Sequence, residues 1–347
     1  MDVGLTSEQL ALRDTVRDIL RAECPPDAAR QAITDPERWR TLWKTVVDLG
    51  WTELAIADPS GDFGPLELVL VLQECGAAIA PIPLLSSVGL AAGVLRACRL
   101  DDVLAEIAGG AAATLAVHSP GHRLPRPPMT LQHGRLRGHA VAVPNLVRAE
   151  LIVTLATSDQ GLVAAVARAG DGVVIRAGES TDPAQPVADV EIDTAAMATA
   201  PVASAKSALT APLIAAAADL VGVASAVLHR AVEHAKARRQ FGKPIGAFQA
   251  IKHALADNYV SVERARSLTY AAAADPDWTT AALAKAAAGE AATRCARTAV
   301  QVHGALAQTW EHDIHLYVRH AWQGAAMLGD SRALYHEVGR RFAGGAS

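Results

Sequence analysis

The first hundred residues carry apolar side chains at helical intervals. In SEQLALRDTVRDIL, Leu10, Leu12, Val16 and Leu20 recur at near-helical spacing, and Thr6 stands where an N-cap belongs. ERWRTLWKTVVDLGW sets Trp39, Leu42, Trp43 and Val46 on one face and ends at Gly50. LELVLVLQECGAAIAPIPL reads as a third helix stopped by its two prolines, followed by a short apolar helix up to Cys98. The period changes near Ala113. Short β-branched runs (TLAV, AVAV, LIVTLA, LVAAVA, GVVIRA, VADVEI) separated by Gly, Pro and Asp predict a small antiparallel sheet. AGDG (169–172) reads as a hairpin turn, and HSPGHRLPRPPM (118–129) as a proline-rich loop. After Ala203 long Ala/Leu/Val runs continue in helical period to Phe342. The prediction is a mainly α chain with a small β domain: N-terminal helices over 1–112, an antiparallel β domain over 113–203 and a helical bundle over 204–347.

Ala208 to Leu228 is almost wholly apolar, but it is alanine-rich and interrupted by Pro212, Asp219 and Ser225. That pattern predicts a helix buried in a bundle and no membrane span. With 51% hydrophobic residues, net charge −4 and a pI near 6.3, the chain can bury a large core and advertises no nucleic-acid or anionic-membrane surface. Cys24, Cys75, Cys98 and Cys295 show no metal or CxxC spacing, which predicts reduced thiols of a cytoplasmic protein. The N-terminal stretch shows no basic-then-apolar signal pattern.

Two stretches carry candidate chemistry: ARRQFGKPIGAFQAIKHALADNYVSVERAR (237–266) and QVHGALAQTWEHDIHLYVRHA (301–321). Arg238 falls at a helix end before a Gly-Pro corner (Gly242, Pro244), where a planar guanidinium suits a diphosphate. Gln240, Phe241, Phe248 and Gln249 surround the same corner with amides and ring faces. Glu311, His312 and Asp313 read as an ion-pair or capping cluster.

RxxFG, then PIxxFQxIxHxLAD, then QxHG at this spacing resemble the signature regions of the acyl-CoA dehydrogenase family, whose three-part layout is the one read above. The resemblance implies a C-terminal four-helix bundle and FAD as cofactor. In the family, the RxxFG corner and the QxxGG turn of one subunit clamp the ADP half of the FAD held by its neighbour. Carried over, that clamp is Arg238, Arg239, Gln240, Phe241, Phe248, Gln249 and the turn Gln301, Val302, His303, Gly304, Ala305, with alanine at the turn's second glycine.

Other family positions depart from the pattern. Where the flavin-ring motif reads YxxTEP, this chain has LAVHSP, with Leu115 for the aromatic, His118 for the threonine and Ser119 for the glutamate. GHRLPRPP replaces the GSD turn, and Ala142, Val143 and Pro144 stand for the WIT strand. The catalytic glutamate, nine residues after Arg319, is Leu328, followed by Gly329 and Asp330; its alternative place, on the helix before RxxFG, is Pro212 beside Leu213. His118, His303 and Asp219 read as satisfied structural groups. A kept clamp with a lost ring seat and a lost base resembles the shorter subunit of actinobacterial, steroid side-chain α2β2 dehydrogenases. That implies a longer catalytic partner subunit, an acyl-CoA held mainly by the partner, and an electron-transfer acceptor. A self-sufficient homotetrameric dehydrogenase with a relocated base, and a flavin-free scaffold on the same fold, are the alternatives.

Overall fold

The computed structural model describes residues 4–25, 27–56 and 64–344. The N-terminal part comprises α1 (Ser7–Glu23), α2 (Asp27–Thr34), α3 (Trp39–Asp48), a 3-10 turn (Trp51–Ile56) and α4 (Pro65–Ala77). A π-helical segment (Leu85–Ala91) then leads into α5 (Ala92–Cys98), and α6 (Asp101–Ala108) follows. Thr6 caps α1 reciprocally: its hydroxyl accepts from the Gln9 N–H (3.2 Å) and its own N–H donates to the Gln9 side chain (3.0 Å). α2 and α6 escape the period reading because each has only eight residues, and the buried face of α2 is alanine. α4 stops before its prolines, turning at Ile79 with φ +44.

The middle part is one sheet of β1 (Ala113–Ala116), β2 (Met129–Gln132), β3 (Arg135–Pro144), β4 (Leu151–Ser158), β5 (Gly161–Arg168), β6 (Val173–Ala177), β7 (Val187–Ala195) and β8 (Ala198–Pro201). The order is β6-β7-β3-β2-β4-β5-β8, with β1 also on β4. All pairings are antiparallel except that β1 and β2 both run parallel to β4. The AGDG segment is not a hairpin: it carries the chain from β5 to β6, which lie in separate halves of the sheet. The tight β2–β3 hairpin is made instead by His133 and Gly134, both left-handed (φ +48 and +75).

The C-terminal part is a bundle of α7 (Ala205–Ala237), α8 (Gln249–Ala274), α9 (Trp278–His303), α10 (Ile314–Ala326) and α11 (Ser331–Gly344). Among the described residues α7 alone is long and apolar enough to cross a membrane, but its apolar window is 83% buried inside the fold, as a core helix requires. α7 crosses α4 at backbone contact. A Cβ at Gly76 would overlap the Asp219 carbonyl, and one at Gly222 the Gln73 carbonyl, so glycine is required at both. Arg148 fastens the sheet to the N-terminal helices, donating to the Pro81 carbonyl (3.2 Å) and lying over the Trp39 ring.

Candidate functional site

The corner after α7 is a tight turn built from its sequence. Arg238 leaves the helix with extended backbone while its N–H still donates to the His234 carbonyl (2.8 Å). β9 (Arg239–Gln240) and β10 (Lys243–Pro244) pair across Phe241 and Gly242, at φ +51 and +78. Arg239 donates to the Gly242 carbonyl (3.0 Å) and so closes its own turn. The Arg238 guanidinium makes no hydrogen bond or ion pair among the described residues. Phe241 is 89% exposed and meets Phe248 edge-on at 6.1 Å, with the Lys243 ammonium over the Phe248 ring. Gln240 and Gln249 are exposed beside them. The corner thus offers ring faces, amides and a free guanidinium to a group outside this chain.

The second motif arrives at the same place. α9 ends at His303, and Gly304 (φ +67) turns the chain outward; Gln301, Gly304 and Ala305 are exposed, while Val302 and His303 are half-buried. A Cβ on Gly304 would meet nothing within 4 Å, so its backbone is open to close approach. The His303 ring lies 4.1 Å from that of His234, one helical turn before Arg238. Two stretches distant in sequence become one surface. Asp313 below it pairs with Arg30 (2.8 Å) and Arg230 (3.6 Å), which makes it the ion-pair residue of the TWEHD patch.

The place aligned with a flavin-ring seat is closed. Leu115 is buried inside β1, and Ser119 donates to the Arg126 and Pro127 carbonyls. β3 bulges where WIT would lie: Ala142 is left-handed (φ +52) and its N–H donates to Asp189 (2.9 Å). Pro144 borders a cavity of about 20 Å3 shared with Asn145, Asp219, His320, Gln323 and Met327, room for about one water. Two open clefts of about 810 and 720 Å3 lie elsewhere, and neither is lined by Pro144 or Leu328. The exposed guanidinium, amides and ring faces of the corner suit a diphosphate beside an aromatic base, while the cavity beside Pro144 is far smaller than the hundreds of Å3 usual for a bound ring system.

The base positions are equally filled. Leu328 is 2% exposed, at φ +57, and Pro212 is buried in α7 against Gly93. Asp330 pairs with Arg123 (2.6 Å) from the proline-rich loop and accepts the Ala333 N–H. Burial works against its charge, yet these partners hold its carboxyl below the ordinary range. Beside Leu328, the fully buried Lys285 donates to the Ala325 (3.2 Å) and Gly329 (3.4 Å) carbonyls. Its burial drives the ammonium down to about 7, against weaker opposing pulls from Asp330 and Asp219.

Sequence reasoning missed one buried relay. His320 faces Asp182 through Nδ1 (2.7 Å) and Asp219 through Nε2 (3.0 Å). Burial opposes the imidazolium, but the two carboxylates, Asp219 foremost, overcome it and raise the group to about 10. Its partners lie 138 and 101 residues away, so no local pattern announces them.

Residues 6–98 match the acyl-CoA dehydrogenase N-terminal domain, and residues 202–342 match the acyl-CoA dehydrogenase C-terminal domain. The chain belongs to the acyl-CoA dehydrogenase family. It is 33% identical to acyl-CoA dehydrogenase IpdE2 of Mycolicibacterium smegmatis, over 94% of this chain and 96% of that one. A chain of the ChsE4-ChsE5 complex of Mycobacterium tuberculosis matches over 99% of both chains, at 30% identity and TM-score 0.85. The Tcur3481-Tcur3483 steroid ACAD matches over 98% of both, at 26% identity and TM-score 0.89. The chain follows the acyl-CoA dehydrogenase fold from the N-terminal helices through the bundle, and the family is one of oxidoreductases.

Proposed function

We propose that this chain is the base-lacking subunit of a heteromeric, FAD-dependent acyl-CoA dehydrogenase that oxidises a bulky acyl-CoA to its enoyl-CoA. Its three stretches, 1–112, 113–203 and 204–347, act as domains, with the third presenting Arg238, Phe241, Gln249 and the Gln301–Ala305 turn to a partner's FAD. The observation that carries this reading is the closed seat: about 20 Å3 beside Pro144, against an open, unpaired clamp at Arg238. FAD, when bound, supplies the hydride acceptor, and the partner, a longer chain in an α2β2 assembly, supplies the ring seat and the carboxylate base. This chain's residues hold the ADP half, Arg238 on the diphosphate and Phe241 and Phe248 toward the adenosine, and its rigid bundle keeps that end fixed. A second copy of each chain completes the cytoplasmic complex, from which electrons pass to a separate acceptor protein. The similarity to the ChsE4-ChsE5 complex and to a steroid ACAD supports a partner subunit and a sterol side-chain thioester as substrate.

The test is to tag this chain, purify it from its native host and measure flavin and subunits together. One FAD per pair of unlike chains is the expected result. One FAD per chain in a homogeneous preparation would show a self-sufficient dehydrogenase, and a colourless preparation that recruits no second chain would show a scaffold.

A further inference from the structure

Under the Arg238 corner lie three imidazoles in a row. His303 is in the middle, its ring 4.1 Å from that of His234 and 4.9 Å from that of His312. They come from the last turn of α7, the last turn of α9 and the segment before α10. His303 Nδ1 lies 2.8 Å from the Ala299 carbonyl and therefore carries a proton, which leaves Nε2 as the titrating atom. His312 Nδ1 accepts the Ile314 N–H (3.3 Å), which puts the proton of its neutral ring on Nε2. His234 and His303 are tilted by 32° to one another, and His312 meets His303 edge-on at 62°. Among the described residues no group of three or more His, Cys, Asp or Glu could hold a metal ion.

The charges around the row are lopsided. Arg238 acts on His234, Arg230 on His303 and His312, and His315 on His312. Arg30 of α2 reaches in from the side, and Arg319 lies beyond His315. The acid facing the row is Asp313, which already pairs with Arg30 and Arg230. Burial, foremost, and these neighbouring cations hold all three rings below the ordinary imidazole value. An anion placed at Arg238 reverses the balance: it makes a second proton on an imidazole favourable where the surroundings alone make it unfavourable.

Resting on the clamp reading above, we propose that His234, His303 and His312 form the floor of the diphosphate clamp, and that His234 and His303 take up protons when the anion is held there. Cofactor affinity is then coupled to pH through this chain, which has no ring seat or base of its own. No covalent step is involved; the proton comes from solvent and returns to it when the diphosphate leaves.

The test uses the complex as purified with its flavin-bearing partner, stripped of FAD and reconstituted with FAD from about pH 5 to about pH 8, the range in which imidazoles titrate. The dissociation constant is expected to tighten toward acid, by up to about tenfold per pH unit for each proton taken up. His303→Phe keeps an aromatic ring in the row and removes the titrating nitrogen, so it should flatten the slope, which is read apart from any shift in affinity common to every pH. His234→Phe is the second variant, and either one that melts like the parent complex decides the matter. Arg238→Ala should weaken binding at every pH and leave the slope in place. A flat parent profile, or a parent slope that survives in the phenylalanine variants, overturns the proposal while the clamp stands. Full affinity in Arg238→Ala overturns the clamp reading itself.

Discussion

His320 Nε2 lies 3.0 Å from the carboxylate of Asp219, and the opposite edge of the same ring lies 2.7 Å from Asp182. One imidazole therefore ties α7 to α10 and both to the loop ahead of β7. It also borders the small cavity next to Pro144, so the contact that fastens the middle part to the bundle also lines that cavity. All three groups are buried, at 6–9% side-chain exposure, so neither carboxylate has water to fall back on.

Replacing His320 by Asn should destabilise the chain strongly, by about 3–5 kcal/mol near neutral pH, because two buried carboxylates lose their counter-charge. The sign of the pH dependence follows from the raised group. The stability it adds is fully present below about pH 6.5, its unfolded value, and is lost as pH rises through about 10. The gap between parent and variant in chemical denaturation should therefore narrow steadily from neutral to alkaline pH. A gap that stays constant would mean the ring sits there neutral.

Restoring a carboxylate should not restore chemistry. Leu328→Glu puts a carboxylate at the aligned position, but Leu328 is 2% exposed and lines none of the cavities described above, so nothing brings an acyl chain to it. The isolated chain, parent or variant, should show no acyl-CoA-dependent dye reduction. Turnover in Leu328→Glu would show that the seat opens in solution and that the missing base is the single defect.

How far the sequence carried this differs by element. The long periodic helices and the RxxFG and QxHG motifs were legible because their information is local: Trp39, Leu42, Trp43 and Val46 do form one buried face. The sheet's parallel pairings were not, since whether β1 lies beside β4 or elsewhere depends on chain crossing and not on β-branched runs. AGDG looked like a hairpin because its glycines permit one; strand order decided otherwise. The relay at His320 and the plug at Lys285 were invisible for the same reason. Lys285 is a lone polar residue in an apolar run, His320 stands beside Arg319 in a mixed one, and the partners of both are brought by the fold.

Arg238→Ala should leave the fold intact and reduce flavin affinity of the assembled complex. The residue ends α7 and is exposed, and its side chain has no hydrogen-bond or ion-pair partner among the described residues, so its truncation removes none of these. An arginine–phosphate pair at an interface is worth about 2–5 kcal/mol on truncation, a loss of about thirtyfold or more in affinity. Flavin titration of the complex, read beside its thermal melt, separates the outcomes. Unchanged affinity removes Arg238 from the clamp, and a collapsed assembly makes it an interface residue.

Lys285→Met should stabilise the chain, by about 1–4 kcal/mol at neutral pH, as apolar replacements of buried charge do. Lys285 is fully buried, its nitrogen touching two carbonyls and no carboxylate, and methionine nearly matches its stem in volume. Its pH signature runs opposite to that of His320. Between about 7, its value in the fold, and about 10.4, its unfolded value, the unfolded chain holds the extra proton, so stability rises with pH. In the parent the two slopes oppose each other and flatten the profile across this window. Removing the lysine should leave the histidine's slope exposed, so that Lys285→Met loses stability toward pH 10 while His320→Asn gains it. Denaturation midpoints of the two variants across that window measure both slopes at once. Parallel profiles would show that neither buried group titrates as its surroundings dictate.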